Sequence, residues 1–146
     1  MQKNVFEKTE TGCKTAKITN QLAAHMGLNE QQLFKLAMEN KDTMFKNMTI
    51  PMYPMIVITN KDMLYGATKL LEPSNLIEIA NEFDSDLYIF PSSIHEIIVC
   101  PVSLLGKYKA LEIVRSVNQE VVDVKDRLSN NCYYFSREKR ELLLID

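Results

Sequence analysis

Apolar residues along this chain keep two different spacings, and the switches between them mark out its elements. Leu33, Phe34, Ala37 and Met38 recur at i, i+1, i+4 and i+5, the one-sided stripe of an amphipathic helix. Asn29 precedes the stripe as an N-cap, Gln32 completes a capping box, and Leu28 with Leu33 hold the staple positions. The spacing predicts a helix from Glu30 to about Asp42. Ahead of it, Thr19 is placed to cap a short helix through His25, stopped by Gly27 in a left-handed conformation. Pro73 at a first helical position, followed by Leu76, Ala80 and Phe83, predicts a third helix over Pro73 to Phe83. Leu104, Tyr108, Leu111 and Val114 predict a fourth, from Ser103 to about Gln119.

The remaining apolar residues come in short runs. Met52 to Thr59, "DLYIF", "EIIVC", "CYYF" and "ELLLI" read as five strands. The link between "DLYIF" and "EIIVC" is of hairpin length, too short for a parallel crossover, so these two strands pair antiparallel. A second hairpin turns around Ser136 to Arg140. Strict alternation of strand and helix is missing, which predicts an α+β fold: a single mixed, mainly antiparallel sheet of about five strands with helices packed against it. Residues 1–17 are polar without a clear period and are expected to form an arm or the edge of a fragment, leaving 18–146 as one domain.

Composition narrows the functional classes. Seventeen basic and nineteen acidic side chains give a net charge of -2, so no overall positive field favours nucleic acid. The densest basic run, Arg137 to Arg140, is broken by Glu138 and followed by Glu141, the pattern of a solvated turn. Cys13, Cys100 and Cys132 are far apart and form no C-x-x-C pair, which argues against a disulfide framework or zinc knuckle and for reduced thiols, buried and inert at Cys100 and Cys132. No apolar run approaches the roughly 20 residues of a membrane span, and the N-terminus lacks a signal-peptide core. The expected setting is cytoplasmic, with no membrane partner.

The densest candidate chemistry is "PSSIHE", Pro91 to Glu96. Ser93 and His95 are two residues apart and share a face on extended backbone, whereas Glu96 points to the other, so the local trio cannot form a serine–histidine–acid relay unaided. A carboxylate from elsewhere in the fold would have to complete it. There is no G-x-S-x-G elbow, and "HEIIV" places Val99 where a zinc-binding H-E-x-x-H motif needs its second histidine. No metal or cofactor is implied. A structural account covers much of the stretch: Pro91 stops a strand, Ser92 and Ser93 bond nearby backbone, and His95 and Glu96 begin the return. Tyr65-Gly66 offers bare backbone to a ligand, or a glycine with positive φ. Met44, Met48, Met52 and Met55 read as filling at a helix-to-strand corner, or as a methionine-lined groove for a partner helix.

Taken together, "ITNQLAAHMGLNEQQLFKLAMEN", "MIVITNKDMLYGATKLL", "DLYIFPSSIHEIIVCP" and "LSNNCYYFSREKRELLLI" resemble the C-terminal portion of an uncharacterised bacterial protein family from Gram-positive gut anaerobes. The resemblance runs from about Ile18 onward, and its most specific pieces are "LYGA", Leu64 to Ala67, and "PSSIHE". It implies a cytoplasmic bacterial protein, a fragment or short form of a longer architecture, with no established activity to carry over. Glu72 stands before Pro73 where the family pattern has Asp, which weakens a helix cap. The missing catalytic motifs favour a non-catalytic interaction or regulatory module, with a protein partner or a second copy engaged through a sheet edge. The alternative is a hydrolase or small-ligand site at the Pro91–Glu96 turn, with Ser93 and His95 as catalytic candidates and Tyr65, Gly66, Ser92, Ser93, His95 and Glu96 as binding candidates.

Overall fold

The computed structural model describes residues 3–9, 12–39, 42–50 and 53–145, which group into two compact units on either side of residues 41 and 42. In the first unit, β1 (Lys3–Thr9) and β2 (Gly12–Ile18) form an antiparallel hairpin, and α1 (Asn20–His25) and α2 (Glu30–Met38) follow. Thr19 accepts from the Leu22 N–H as the N-cap of α1. At its end Gly27 has φ +69°, and the Leu28 and Gly27 N–H groups donate to the carbonyls of Ala23 and Ala24, the double closure that only a left-handed residue permits. The capping box of α2 is formed in both directions, each bond 2.9 Å.

Two expectations change here. α2 stops at Met38, short of Asp42, because Thr43 already begins a strand. Its apolar stripe is not fully buried either: Leu33, Ala37 and Met38 are half-buried and Phe34 stays 43% exposed.

The second unit is a six-stranded sheet in the order β3-β4-β6-β5-β7-β8: β3 (Thr43–Ile50), β4 (Tyr53–Asn60), β5 (Leu87–Phe90), β6 (Ile97–Pro101), β7 (Cys132–Ser136) and β8 (Glu141–Ile145). Every pairing is antiparallel. The α+β fold is therefore as expected, with one strand more in this sheet than the sequence suggested. The added strand is β3, where Met44 and Met48 pair with Thr59 and Met55 of β4 in place of the expected corner; Met52 lies outside the described residues.

Helices cover both faces. α3 (Pro73–Glu82) lays Leu76, Ile79 and Ala80 on Ile56, Ile58, Leu87, Ile89, Ile97 and Val99, while α4 (Lys107–Glu120) lays Ala110 and Val114 on Met55, Val57, Tyr88, Phe90, Ile98 and Cys100. Alternate residues of β4, β5 and β6 thus enter opposite cores, which explains why these strands read as unbroken apolar runs rather than as alternating ones. The buried stripe of α4 is Ala110, Val114 and Asn118, and Tyr108 is 87% exposed. Tyr108 stands six residues from Val114, about 120° around the helix from the buried face.

The N-terminus of α3 shows why Glu72 caps poorly. Its side chain makes no cap bond and instead lies 3.0 Å from Lys69 Nζ, which also meets Asp42 Oδ1 at 2.9 Å. Burial pulls the Lys69 pKa down, but the bonds to Asp42 and Glu72 outweigh it and the net shift is upward. Among the described residues no helix is long and apolar enough to cross a membrane.

Candidate functional site

β4 and β5 end, and β6 and β7 begin, at the same end of the sheet. Three connections therefore meet there: the loop after β4 through Ala67, the Pro91–Glu96 turn, and the segment from Val122 to Asn131. Backbone bonds tie them together. The Ile94 N–H donates to the Asp126 carbonyl at 2.8 Å, the Leu128 N–H to the Ser92 carbonyl at 2.9 Å, and the Ala67 N–H to the Ile94 carbonyl at 3.3 Å. Ser93 and Arg127 form an antiparallel bridge.

Side chains complete the joint. Thr59, fully buried on β4, donates Oγ1–H to the His95 carbonyl at 2.8 Å. Asn60 bonds both the N–H and the carbonyl of Leu64, at 3.2 and 2.7 Å, and so shapes the loop in which Met63 and Tyr65 take φ of 55° and 56°. Such left-handed backbone at non-glycine residues is strained and persists only where its surroundings over-determine it. The positive φ expected of Gly66 thus belongs to Tyr65. Gly66 is needed for close approach instead: a Cβ there would stand 2.3 Å from Thr59 Oγ1 and 2.4 Å from the His95 carbonyl oxygen.

The Tyr65 N–H donates to His95 Nδ1 at 3.2 Å. With Nδ1 accepting, the neutral ring carries its proton on Nε2, which lies 3.5 Å from Asp126 Oδ1. The Tyr65 and His95 rings stand 5.5 Å apart at 51°. Ser93 Oγ accepts from the His95 N–H at 3.0 Å, which closes the turn. A nucleophilic serine needs an imidazole lone pair aimed at its hydroxyl, and in this arrangement that lone pair is occupied by Tyr65.

All the binding candidates from the sequence, Tyr65, Gly66, Ser92, Ser93, His95 and Glu96, lie on two of the three joined loops. Their exposure divides them. Gly66, Ser92 and Ser93 are buried within the joint, while Tyr65, Ile94, His95, Glu96 and Asp126 are half-exposed and form its outer surface. Thr59 and Asp126 were not singled out by sequence reasoning. A need for some distant carboxylate beside His95 was readable, but nothing in "VVDVKDRLSNN" marked Asp126 as that residue. His25 belongs to the first unit, where Nδ1 donates to the Gln21 carbonyl at 2.7 Å. Among the described residues no group of three or more His, Cys, Asp or Glu is placed to hold a metal ion. Cys100 and Cys132 are free and buried, and burial pushes their thiols up to about 11 and about 12, far from the thiolate form that reacts.

The profile of a family of unknown function, DUF5688, matches residues 42–137. The chain belongs to DUF5688. No curated protein and no solved structure matches it. The DUF5688 span opens where the second unit opens and runs through β7, so all three loops of the joint lie within it.

Proposed function

We propose that this DUF5688 chain is a non-catalytic interaction or regulatory module of a bacterial cytoplasm, whose recognition surface is the three-loop end of its sheet. One observation carries the reading. Ser93 Oγ and His95 Nδ1, the groups that catalysis would need, hold the backbone of their own loops together, while Tyr65, Ile94, His95, Glu96 and Asp126 face outward on a rigid support. Recognition often sits on loops fixed in this way by a sheet. Open sheet edges give such a module a second means of engagement.

The competing reading, a hydrolase or small-ligand site, draws its support from Asp126, which stands where a carboxylate would steady His95. Two measurements separate the readings. Binding at the platform predicts that a captured partner, titrated into isotope-labelled chain, shifts amide signals of residues 60–67, 91–96 and 122–128, and that His95→Ala with Glu96→Ala weakens it about tenfold. Hydrolysis of ester or amide probes that Ser93→Ala abolishes would overturn the module reading and establish the other.

A further inference from the structure

The His95 ring makes two contacts that a proton drives apart. Its Nδ1 accepts the Tyr65 N–H at 3.2 Å, which requires that nitrogen to be bare, whereas its Nε2 stands 3.5 Å from Asp126 Oδ1 and gains from charge. A proton added to the neutral ring goes to Nδ1, the nitrogen that carries the lone pair. Two N–H groups then point at each other on the Tyr65 side, while an ion pair forms on the Asp126 side. The neutral ring therefore ties the Pro91–Glu96 turn to the β4–α3 connection, and the charged ring ties it to the Val122–Asn131 segment.

We propose that His95 is a proton-operated switch at the loop joint: its protonation releases the Tyr65 N–H and frees the Tyr65 segment from the Pro91–Glu96 turn, while drawing the ring onto Asp126. The surroundings decide which side yields. The backbone of His95 is pinned, its carbonyl by Thr59 at 2.8 Å and its N–H by Ser93 at 3.0 Å. Asp126 is pinned as well, its N–H on the Asp123 carbonyl at 2.9 Å and its own carbonyl under the Ile94 N–H at 2.8 Å. Tyr65 is the yielding side, because its φ of 56° is a conformation that a non-glycine residue keeps only while its bonds impose it. The Asn60–Leu64 bonds and the Ala67 N–H on the Ile94 carbonyl stand on either side and confine the change to the residues between. Each connection brings ionisable groups to the joint. Asp126 and the Tyr65 ring, 5.5 Å away between centroids, face the imidazole; Glu96 follows it in the turn, and Lys61 and Asp62 precede Met63 on the first loop. Arg127 turns its Nε to the Val122 carbonyl at 3.1 Å, Lys125 lies 3.7 Å from Asp123, and Lys69 is held by Asp42 and Glu72. Tyr65 and Asp126 are both part of the outer surface, so the switch redraws the recognition platform. That consequence rests on reading the chain as an interaction module; the loop movement does not.

Nuclear magnetic resonance of the full chain from about pH 8 to about pH 5, the range in which histidine changes charge, tests this. The His95 ring nitrogens and the Tyr65 amide should titrate together, with one midpoint. Exchange at the Tyr65 amide, corrected for its intrinsic pH dependence, should be about tenfold faster in the protonated form, while the His95 amide keeps its protection. His95→Asn offers an oxygen acceptor near the place of Nδ1 and does not titrate, so Tyr65 should stay silent over the whole range. Asp126→Asn removes the charge facing Nε2 and should move the midpoint to lower pH by at least about half a unit. A ring that takes up its proton while the Tyr65 amide stays unmoved overturns the proposal. So does a Tyr65 transition that persists in His95→Asn, or a midpoint that Asp126→Asn leaves in place. Should His95→Asn fail to fold, the parent chain and Asp126→Asn still decide. Failure of the switch leaves the platform standing, since partner-induced shifts are read at one pH, and failure to capture a partner leaves the switch standing, since its readout needs none.

Discussion

The β5–β6 and β7–β8 hairpins turn at opposite ends of the sheet, and they are held in opposite ways. The β5–β6 turn, Pro91–Glu96, has its first three residues buried and is bonded through neutral groups to two other loops. The β7–β8 turn exposes Glu138, Lys139 and Arg140, closed locally by the Arg140 N–H on the Ser136 carbonyl. Its links to the rest of the fold run through two neighbouring carboxylates. Asp86 accepts the Arg137 N–H at 2.8 Å and the Tyr134 hydroxyl, and Asp84 adds an ion pair to Arg137. A turn that serves only its own hairpin needs few anchors, whereas a turn that joins three connections needs many; the second arrangement is what a recognition platform requires.

The largest effect should come from striking the platform where it has no slack. Gly66→Ala puts a methyl group against Thr59 Oγ1 and the His95 carbonyl, and two of the three nearest atoms at that point are backbone. Relief requires the loops to part, so the expected loss is about 3 kcal/mol, read as a lower urea midpoint. If Gly66→Ala melted like the parent chain, the loops would be far looser than their bonds imply.

At the other end the contrast becomes one of pH. The Tyr134 hydroxyl first, and then the Arg137 N–H, hold the Asp86 carboxyl below its usual 3.8, against burial, which pushes it up. A lowered folded pKa means the stabilisation is complete above the unfolded value and drains away as pH falls through the folded one. The same bond pushes Tyr134 up to about 12, so a second loss is expected as pH climbs from the ordinary tyrosine range of about 10 toward that value. Asp86→Ala should cost about 2 kcal/mol at neutral pH and flatten the acid limb of a plot of melting temperature against pH. Tyr134→Phe should flatten both limbs. An acid limb unchanged in both variants would mean that some other carboxylate governs that end.

How much of this was legible in the sequence follows from where each signal resides. The caps at Thr19, Asn29 and Gly27 are local side-chain chemistry, and they stand where the sequence placed them. β3 was missed because Thr43, Phe45, Lys46 and Asn47 show no steady alternation, and β4 alone reveals their pairing. At the candidate site, Ser93, His95, Tyr65 and Gly66 stood out by residue type. The groups that join them did not, because the Ile94, Ser92 and Asp126 carbonyls and the Ala67 and Leu128 N–H groups exist at every residue and carry no sequence signature. The exposure of Tyr108 shows a further limit: periodicity marks a helix more reliably than it fixes which residue of the stripe faces the core.

The smallest effect expected is also the one that best separates scaffold from chemistry. Ser93→Ala deletes the acceptor of the His95 N–H but leaves Thr59 on the His95 carbonyl, Tyr65 on Nδ1 and the Ile94–Asp126 bond in place. One bond lost among many should cost about 1 kcal/mol, visible as faster hydrogen exchange at the His95 amide. The imidazole should keep its proton on Nε2, because Tyr65 and Asp126 fix that tautomer and Ser93 does not touch the ring. Ring nitrogen shifts identical in the parent chain and Ser93→Ala are therefore the platform's signature. A tautomer that moved with Ser93 would show the hydroxyl and the imidazole to be coupled, which catalysis needs and a scaffold does not.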